Sequence, residues 1–432
     1  MKALALLTVL CGPAYAQDQC HPVVHHAPFL KADFSLYFAQ EYTGSDLVRE
    51  EIVRNKITIP TSLVGLIDAD TENHGYSTMN LISSQTLTAP MPLLSPTLLS
   101  KFEHAYYTEG KDLPKGQNRI GSMIWDHYAD KCGKEKSCPS FMNKSMYISN
   151  PDWFKVLAKL TKQNTIVIAA SGNWFEDPAA KVARLAALQN GETIPAVHVV
   201  PPLSQQAARK YDYLLVGSTS TTGTPSDFSN GGENVFITAP SANVAILTGG
   251  FLSRNATVVK YEKFGGTSGA APLVTAAMVI FEAVSGHHPT MAETKTLLKK
   301  SAIKLEHSTD PENRHGVGNL NTLKIFEVAK RIKLECDGRP ACASTMIDQD
   351  STYLFAVNPQ ELQMGQRAFP TCFKSSAPEV SCEDKTQALK ILRKLSLLNP
   401  EDKTVLSGLS CVYESLGYKK NAKYYQNVSK YN

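Results

Sequence analysis

A long, almost wholly apolar segment at residues 268–284 constrains the fold of this chain more than any other part of the sequence. Its alanine-rich composition favours a helix, and a helix that is apolar on every side has to be buried in the centre of a protein. Apolar, β-branched runs precede it, such as TIVIAA at residues 165–170, and they have the composition of buried strands. Strands and helices alternate along this region. The pattern predicts an α/β domain with a mostly parallel sheet and helices on both of its faces.

Other segments have weaker but readable signals. A helix is predicted over residues 46–54, and another after residue 150, where the sequence NPD supplies an asparagine cap, a proline at the first helical position and an acid in the first turn. Residues 385–431 predict two or three amphipathic helices, broken at Asn399-Pro400 and at Gly417, and residues 399–428 resemble one tetratricopeptide-type hairpin. Strands are predicted at residues 62–68, 141–147, 165–170, 213–216 and 234–238.

The N-terminus has the features of an export signal. Lys2 precedes an apolar run, and the sequence AYA at residues 14–16 has the small-x-small form that signal peptidase accepts. We therefore expect residues 1–16 to be a signal peptide, with a secreted or periplasmic mature chain that starts at Gln17. The apolar run at residues 3–11 is shorter than the about 20 residues that a membrane span needs. No later segment is predicted to span a membrane.

The cysteines are consistent with an exported protein. Of the nine, Cys11 leaves with the signal peptide, and an even number of eight remains. In an oxidising compartment that number favours disulfides over metal ligands. Two local disulfides are predicted, because Cys132 and Cys138, and likewise Cys336 and Cys342, bracket five-residue polar loops. No metal site and no organic cofactor is predicted; the alternative is a metal bound by the N-terminal cluster of Cys20, His21, His25 and His26.

The distribution of the cysteines suggests how the chain is divided into domains. Five of the eight mature cysteines follow residue 330, which indicates a small, Cys-rich, partly helical accessory module at residues 331–432. The α/β domain is expected over residues 45–330, preceded by an N-terminal segment at residues 17–44.

A formal net charge of +4 and the lack of a dense basic stripe argue against nucleic acid as a partner.

The sequence GGTSGAAP at residues 265–272 is the sharpest chemical signal. Ser268 would lie at the N-terminus of the apolar helix, where the helix dipole favours developing negative charge. Alone, the motif is equally compatible with a glycine- and alanine-rich helix start that a serine caps. However, residues 266–272 fit at every position the nucleophile motif G-T-S-x-A-A-P, and the chain here resembles the subtilisin-like serine peptidases.

That resemblance extends to two further segments. VIAASGN at residues 167–173 is similar to the strand and turn that carry the oxyanion-hole asparagine of the family, which implies that Asn173 stabilises the tetrahedral oxygen. A solvated turn asparagine is the alternative. FMNKSMY at residues 141–147 resembles the strand beside the substrate cleft. By that match the S1–S4 groove, in which substrate pairs as an added strand, would be lined by Ser145, Met146 and Tyr147.

The assignment of a base and an acid to the triad depends mainly on the order of these residues in the chain. His74 is followed by glycine, as the histidine of the family is, and imidazole can exchange a proton near neutral pH. Asp68 ends the predicted strand at residues 62–68, but it lies much closer to His74 than the family usually places its acid. Asp70 is the alternative acid.

The resemblance thus implies a secreted serine endopeptidase that hydrolyses protein or peptide substrates through Asp68, His74 and Ser268 and an acyl-enzyme. Two alternatives remain. The short distance between Asp68 and His74 is also compatible with a catalytically impaired pseudoenzyme that binds or scaffolds other proteins. An esterase-type acyl hydrolase is disfavoured, because the G-x-S-x-G elbow of that class is absent around Ser268.

Overall fold

The computed structural model describes residues 38–59, 64–67, 74, 77–78, 81–82, 103–104, 138–148, 151, 153–193, 196–211, 213–241, 244–248, 260–305, 314–349, 358–373 and 382–431. Six strands form its central sheet, namely β1 Val64–Ile67, β2 Glu103–His104, β3 Phe141–Lys144, β4 Ile166–Ala170, β5 Leu214–Thr219 and β6 Val235–Pro240. Their order is β2-β1-β3-β4-β5-β6, and every neighbouring pair is parallel. The predicted parallel α/β architecture is therefore confirmed.

Helices cover the sheet and continue beyond it. They are α1 Phe38–Thr43, α2 Ser45–Arg54, α3 Trp153–Lys162, α4 Pro178–Gln189, α5 Pro202–Tyr211, α6 Thr267–Ser285, α7 Met291–Ser301, α8 Thr322–Cys336, α9 Pro340–Asp348, α10 Pro359–Ala368, α11 Pro370–Phe373, α12 Cys382–Leu398, α13 Lys403–Ser415 and α14 Lys419–Tyr431. An antiparallel ribbon, β7 Val244–Thr248 with β8 Lys260–Phe264, leads into α6.

The two faces of the sheet belong to two separate hydrophobic clusters. Along β4 the side chains alternate: Ile168 packs in the cluster that contains α6, whereas Val167 packs with residues of α3 and α5. This is the period of two that a strand buried on both faces requires. Helices therefore cover both faces, as predicted.

Helix α6 is the core helix that the sequence predicts. It is the one helix in the described part of the chain that is long and apolar enough to cross a membrane, and 89% of its most apolar window is buried inside the protein. Pro272 lies inside this helix, and because proline has no N–H, the Ser268 carbonyl lacks its intrahelical donor. That carbonyl accepts the Ser145 hydroxyl instead. The helix packs against β3, β4, β5 and α8.

The C-terminal helices share a core with the α/β domain. Residue 330, the predicted boundary, lies inside α8, and one continuous hydrophobic cluster includes both α6 and the helices α12 to α14. The predicted disulfide Cys336–Cys342 is confirmed, and a second one, Cys372–Cys411, joins α11 to α13. Cys138 is disulfide-bonded as well; its predicted partner Cys132 and the Cys20–His26 cluster lie outside the described residues.

A buried polar cluster joins the N-terminal helices to the C-terminal ones. Arg393 of α12 is 3% exposed and donates to both carboxylate oxygens of Asp46, at 3.0 and 2.8 Å. The same guanidinium donates to the backbone oxygen of Glu41 at 3.1 Å. The Glu41 carboxylate accepts hydrogen bonds from Tyr413 and from Asn421. Residues 331–432 thus contact the N-terminal helices α1 and α2 through a cluster in which all these side chains but that of Asp46 are buried, and their separateness stays a prediction.

Candidate active site

Ser268 is the second residue of α6 and lies at the carboxyl edge of the sheet. It is 9% exposed, and its Oγ donates to the backbone oxygen of Ser145, just beyond β3, at 3.0 Å. The Ser145 hydroxyl in turn donates to the backbone oxygen of Ser268 at 3.0 Å. This reciprocal pair fixes the start of the core helix against the end of a central strand.

A buried chain of hydrogen bonds supports Ser145 from below. The Asn143 amide donates to the Ser145 hydroxyl at 3.0 Å, and the Thr275 hydroxyl of α6 donates to the Asn143 oxygen at 3.0 Å. All three side chains are buried. Polar groups that are buried and fully bonded hold one arrangement, because any other leaves a donor or an acceptor unpaired. The immediate surroundings of Ser268, the predicted nucleophile, are therefore preorganised.

Asn173 lies at the end of the neighbouring strand β4 and is bonded to the residue before Ser268. Its Oδ1 accepts the Thr267 N–H at 2.9 Å and the Thr267 hydroxyl at 3.0 Å. The same hydroxyl accepts the Gly172 N–H at 3.1 Å. Because the amide oxygen is engaged by α6, the exposed amide NH₂ is directed away from Thr267 and is the donor that a substrate can meet.

Gly266 allows this close approach of strand and helix. Its φ of +76° lies in the left-handed region that favours glycine. A Cβ there would also lie 2.9 Å from the Asn173 Nδ2. The glycine that precedes Thr267 is thus required both by its backbone conformation and by the amide beside it.

His74 lies next to β8, the strand that leads into α6 and Ser268. Its ring is 5.1 Å from the ring of Phe264, the last residue of β8, in an edge-on arrangement. Leu81 and Phe264 both lie 3.7 Å from the position of a Cβ on Gly269, the residue after Ser268. The segment that contains His74 therefore packs over the start of α6, on the same side of the sheet as Ser268.

The predicted acids, Asp68 and Asp70, lie outside the described residues. What the structure gives is the end of the strand before them: β1 ends at Ile67, which pairs with Lys144 of β3. Lys144 precedes Ser145 directly. The carboxyl end of β1 thus lies at the same edge of the sheet, one strand away from the Ser268 contact.

The segment predicted to line the substrate groove forms a shorter strand than predicted. The predicted strand at residues 141–147 ends at Lys144, and the backbone bends at Met146. Lys144 is 1% exposed, and its Nζ donates to the backbone oxygens of Met146 at 3.1 Å and of Tyr147 at 3.2 Å. The sequence analysis assigned no role to Lys144 or to Thr267, because a lysine inside a predicted strand is typical of a solvated position.

In the described part of the chain, no group of three or more histidine, cysteine, aspartate or glutamate side chains is arranged to hold a metal ion. At the sheet edge, a buried hydroxyl at a helix N-terminus lies close to a fixed amide donor, and the His74 imidazole lies against Phe264, before the start of α6. This set can activate a hydroxyl and stabilise an oxyanion.

Comparison with known proteins agrees with this arrangement. A sequence model of the Subtilase family, Peptidase_S8, matches residues 79–319, which is just over half of the 432 residues. The chain belongs to the subtilase family. This membership supports a serine peptidase that acts on peptides or proteins. The match covers Ser145, Asn173 and Ser268 of this subtilase, but it begins after His74, so the predicted base and the predicted acids lie outside it.

Solved structures of proteases align with much of this subtilase at low identity. A protease named MycP1 from Mycobacterium smegmatis is 14% identical over 69% of this chain and 86% of its own, with a TM-score of 0.45. A lanthipeptide protease is 14% identical over 68% and 95%, with a TM-score of 0.44. The prenylagaramide maturation protease PagA is 18% identical over 65% and 97%, with a TM-score of 0.43. No curated protein sequence matches the chain.

Proposed function

We propose that this subtilase is an exported serine endopeptidase with Ser268 as its nucleophile. The observation that carries the proposal is the contact between α6 and the turn after β4. There the Asn173 side-chain oxygen accepts two hydrogen bonds from Thr267, and the Asn173 NH₂ group remains available to a ligand. Attack on a carbonyl requires a hydroxyl and a nearby amide donor, and here the Ser268 hydroxyl and the Asn173 amide lie on two elements that pack together. One forms the new bond, and the other receives the charge that develops on the oxygen.

In the proposed first step, His74 takes the hydroxyl proton while Ser268 Oγ bonds to the substrate carbonyl carbon. At rest that proton is donated to the Ser145 backbone oxygen, so the hydroxyl has to turn from Ser145 towards His74 before attack. The negative oxygen of the tetrahedral intermediate then accepts a hydrogen bond from the Asn173 amide. His74 passes the proton to the leaving amine, and water hydrolyses the acyl-enzyme by the same route in reverse.

Asp68 is the proposed acid, with Asp70 as the alternative. The position of β1 supports Asp68, because this strand is the direct neighbour of β3 and ends level with Lys144. A carboxylate that starts from this edge can reach an imidazole on the adjacent segment and hold it in the tautomer that accepts the Ser268 proton.

Export is part of the proposal and has its own test. The sequence before residue 17 has the charge, apolar run and cleavage site of a signal peptide, and the disulfides Cys336–Cys342 and Cys372–Cys411 are bonds of an oxidising compartment. N-terminal sequencing of the protein from outside the producing cell should begin at Gln17. A mature chain that still starts at Met1 would contradict export by this signal.

The nucleophile is tested by labelling with a fluorophosphonate probe, which reacts with activated serines. Wild type should be labelled and should cleave peptides, and Ser268→Ala should do neither while remaining folded. Ser285→Ala is the matched control, because Ser285 is a buried serine at the other end of α6. Labelling that persists in Ser268→Ala would move the nucleophile elsewhere. Folded wild type without labelling or cleavage would favour the pseudoenzyme.

A further inference from the structure

The ring of Tyr147 lies across the space between the ends of two central strands. Tyr147 follows β3, and Gly172 follows β4. A Cβ on Gly172 would lie 3.2 Å from Tyr147 Cδ1 and 3.6 Å from Tyr147 Cβ, so the aromatic side chain rests directly on the glycine. The other side of the ring is open, since Tyr147 is 41% exposed. The side chain therefore covers the gap from one strand end to the other.

This gap is directly beside the proposed reacting groups. Ser268 Oγ is 3.0 Å from the Ser145 backbone oxygen on the β3 side, and Asn173 follows Gly172 on the β4 side. A carbonyl that Ser268 attacks and Asn173 stabilises has to lie over this space. The side chain on the acyl side is carried by the α carbon that is bonded to that carbonyl carbon, so the walls it meets first are the Ser145–Tyr147 segment and the turn at Gly172.

Lys144 holds Tyr147 in this position. In an extended strand, consecutive carbonyl groups point in opposite directions. Here the carbonyls of Met146 and Tyr147 converge on one ammonium group, which requires the backbone bend at Met146. The Tyr213 hydroxyl also donates to the Met146 oxygen at 3.3 Å, and the ammonium lies 4.6 Å from the ring centre of Trp153. The backbone that carries the Tyr147 ring is thus held in place by hydrogen bonds from the buried side chains of Lys144 and Tyr213.

We propose that Tyr147 determines specificity by filling the site for the side chain on the acyl side of the scissile bond, so that this subtilase cleaves after glycine, alanine or serine. The inference rests on the proposed peptidase function. A hydrophobic pocket discriminates against a missing methylene only weakly, but a space already occupied by a ring excludes any side chain that needs the same volume. Lys144 acts as a positioning residue, because it touches the backbone of Tyr147 and not the substrate.

The experiment compares two tetrapeptide substrates that differ only in the residue before the cleaved bond, alanine in one and phenylalanine in the other. The fluorophosphonate label first counts the active sites of each variant. Wild type should prefer alanine by about 30-fold or more in kcat/KM, and Tyr147→Gly should raise the value for phenylalanine at least about tenfold. Tyr147→Phe keeps the ring and should keep the preference for alanine.

Lys144→Met separates positioning from a general effect on folding. It should relax the preference for alanine towards that of Tyr147→Gly, with a change mainly in KM for the phenylalanine substrate and with labelling of Ser268 retained. The inference is overturned if wild type is labelled but cleaves both substrates equally, or if Tyr147→Gly is labelled and keeps the wild-type preference. In both cases the peptidase proposal stands. If wild type is folded but neither labelled nor active, both proposals fail.

Discussion

Replacing Arg393 by methionine should be among the most destabilising single changes in the chain. Arg393 is 3% exposed, and the carboxylate of Glu41, 1% exposed, lies 3.6 Å from its Nε. Methionine has a similar length but cannot donate to Asp46 or to the Glu41 backbone oxygen. The change thus leaves a buried carboxylate without its cation, which typically costs about 3–5 kcal/mol of the free energy of unfolding.

That loss is large against a total stability of about 5–15 kcal/mol. At about 2 °C per kcal/mol it corresponds to a decrease in Tm of roughly 6–10 °C. Burial raises the pKa of the Glu41 carboxyl, and the Arg393 guanidinium opposes that shift. Without Arg393 the pKa should rise further, so the folded variant binds a proton that the unfolded chain releases. The cost of Arg393→Met should therefore be smaller near pH 5 than near pH 8.

Thermal and guanidinium unfolding, followed by circular dichroism, measure both effects. Lys390→Met on the same helix is the matched control, because Lys390 pairs with Glu50 at 3.0 Å in a more exposed position. Its cost should stay below about 1 kcal/mol. If Arg393→Met is no more costly than Lys390→Met, the cluster does not hold the N-terminal helices, and the reasoning from burial is wrong.

Three further results are expected. Asn173→Ala should lower kcat about 10²–10³-fold with little change in KM, measured on titrated active sites; an unchanged kcat would exclude the oxyanion role. Asp68→Asn should lower kcat by roughly 10⁴ and Asp70→Asn far less, and the reverse order in the same peptide assay would make Asp70 the acid. Burial tends to lower the pKa of His288, but its hydrogen bonds to the Glu282 carboxylate and to the Asn164 backbone oxygen outweigh this and raise that pKa above its ordinary value. That stabilisation is fully present below about pH 6.5 and is lost as the pH rises through the higher folded value, so the Tm gap between wild type and His288→Gln should be wider at pH 6 than at pH 9; an equal gap would show that the ion pair does not contribute.

The parts of the fold that local sequence predicts are those whose burial is complete and regular. The run TIVIAA became β4, and the apolar segment at residues 268–284 became α6, because a strand or helix buried on all sides carries no polar interruption. The helix breaks near Pro400 and Gly417 were also predicted and confirmed, since proline and glycine end helices through their own backbone geometry.

The sequence could not predict features that depend on distant partners. A lysine inside a predicted strand is typical of a solvated position, but two backbone carbonyls and the Trp153 ring make the burial of Lys144 possible. Arg393 meets Glu41 across 352 positions of the chain, and no local period encodes such a contact. In the candidate site, Ser268 and Asn173 were found through motifs on single elements. The acid depends on how the segment after β1 is arranged, which neither motif specifies.

The cluster around Glu41 also has a consequence for the order of folding during synthesis. Tyr42 of α1 stacks on Tyr424 of α14 at 3.7 Å between ring centres, and Asn421 of α14 donates to Glu41. A ribosome delivers α1 and α2 long before α14 exists. Until residues 393–424 emerge, the Glu41 carboxylate lacks Arg393, Tyr413 and Asn421, and Tyr42 lacks the ring of Tyr424; closing so long a loop is slow. Completion of the subtilase fold is thereby postponed until α14 has been made, and the core around Glu41 stays unfinished while the preceding helices are already in place.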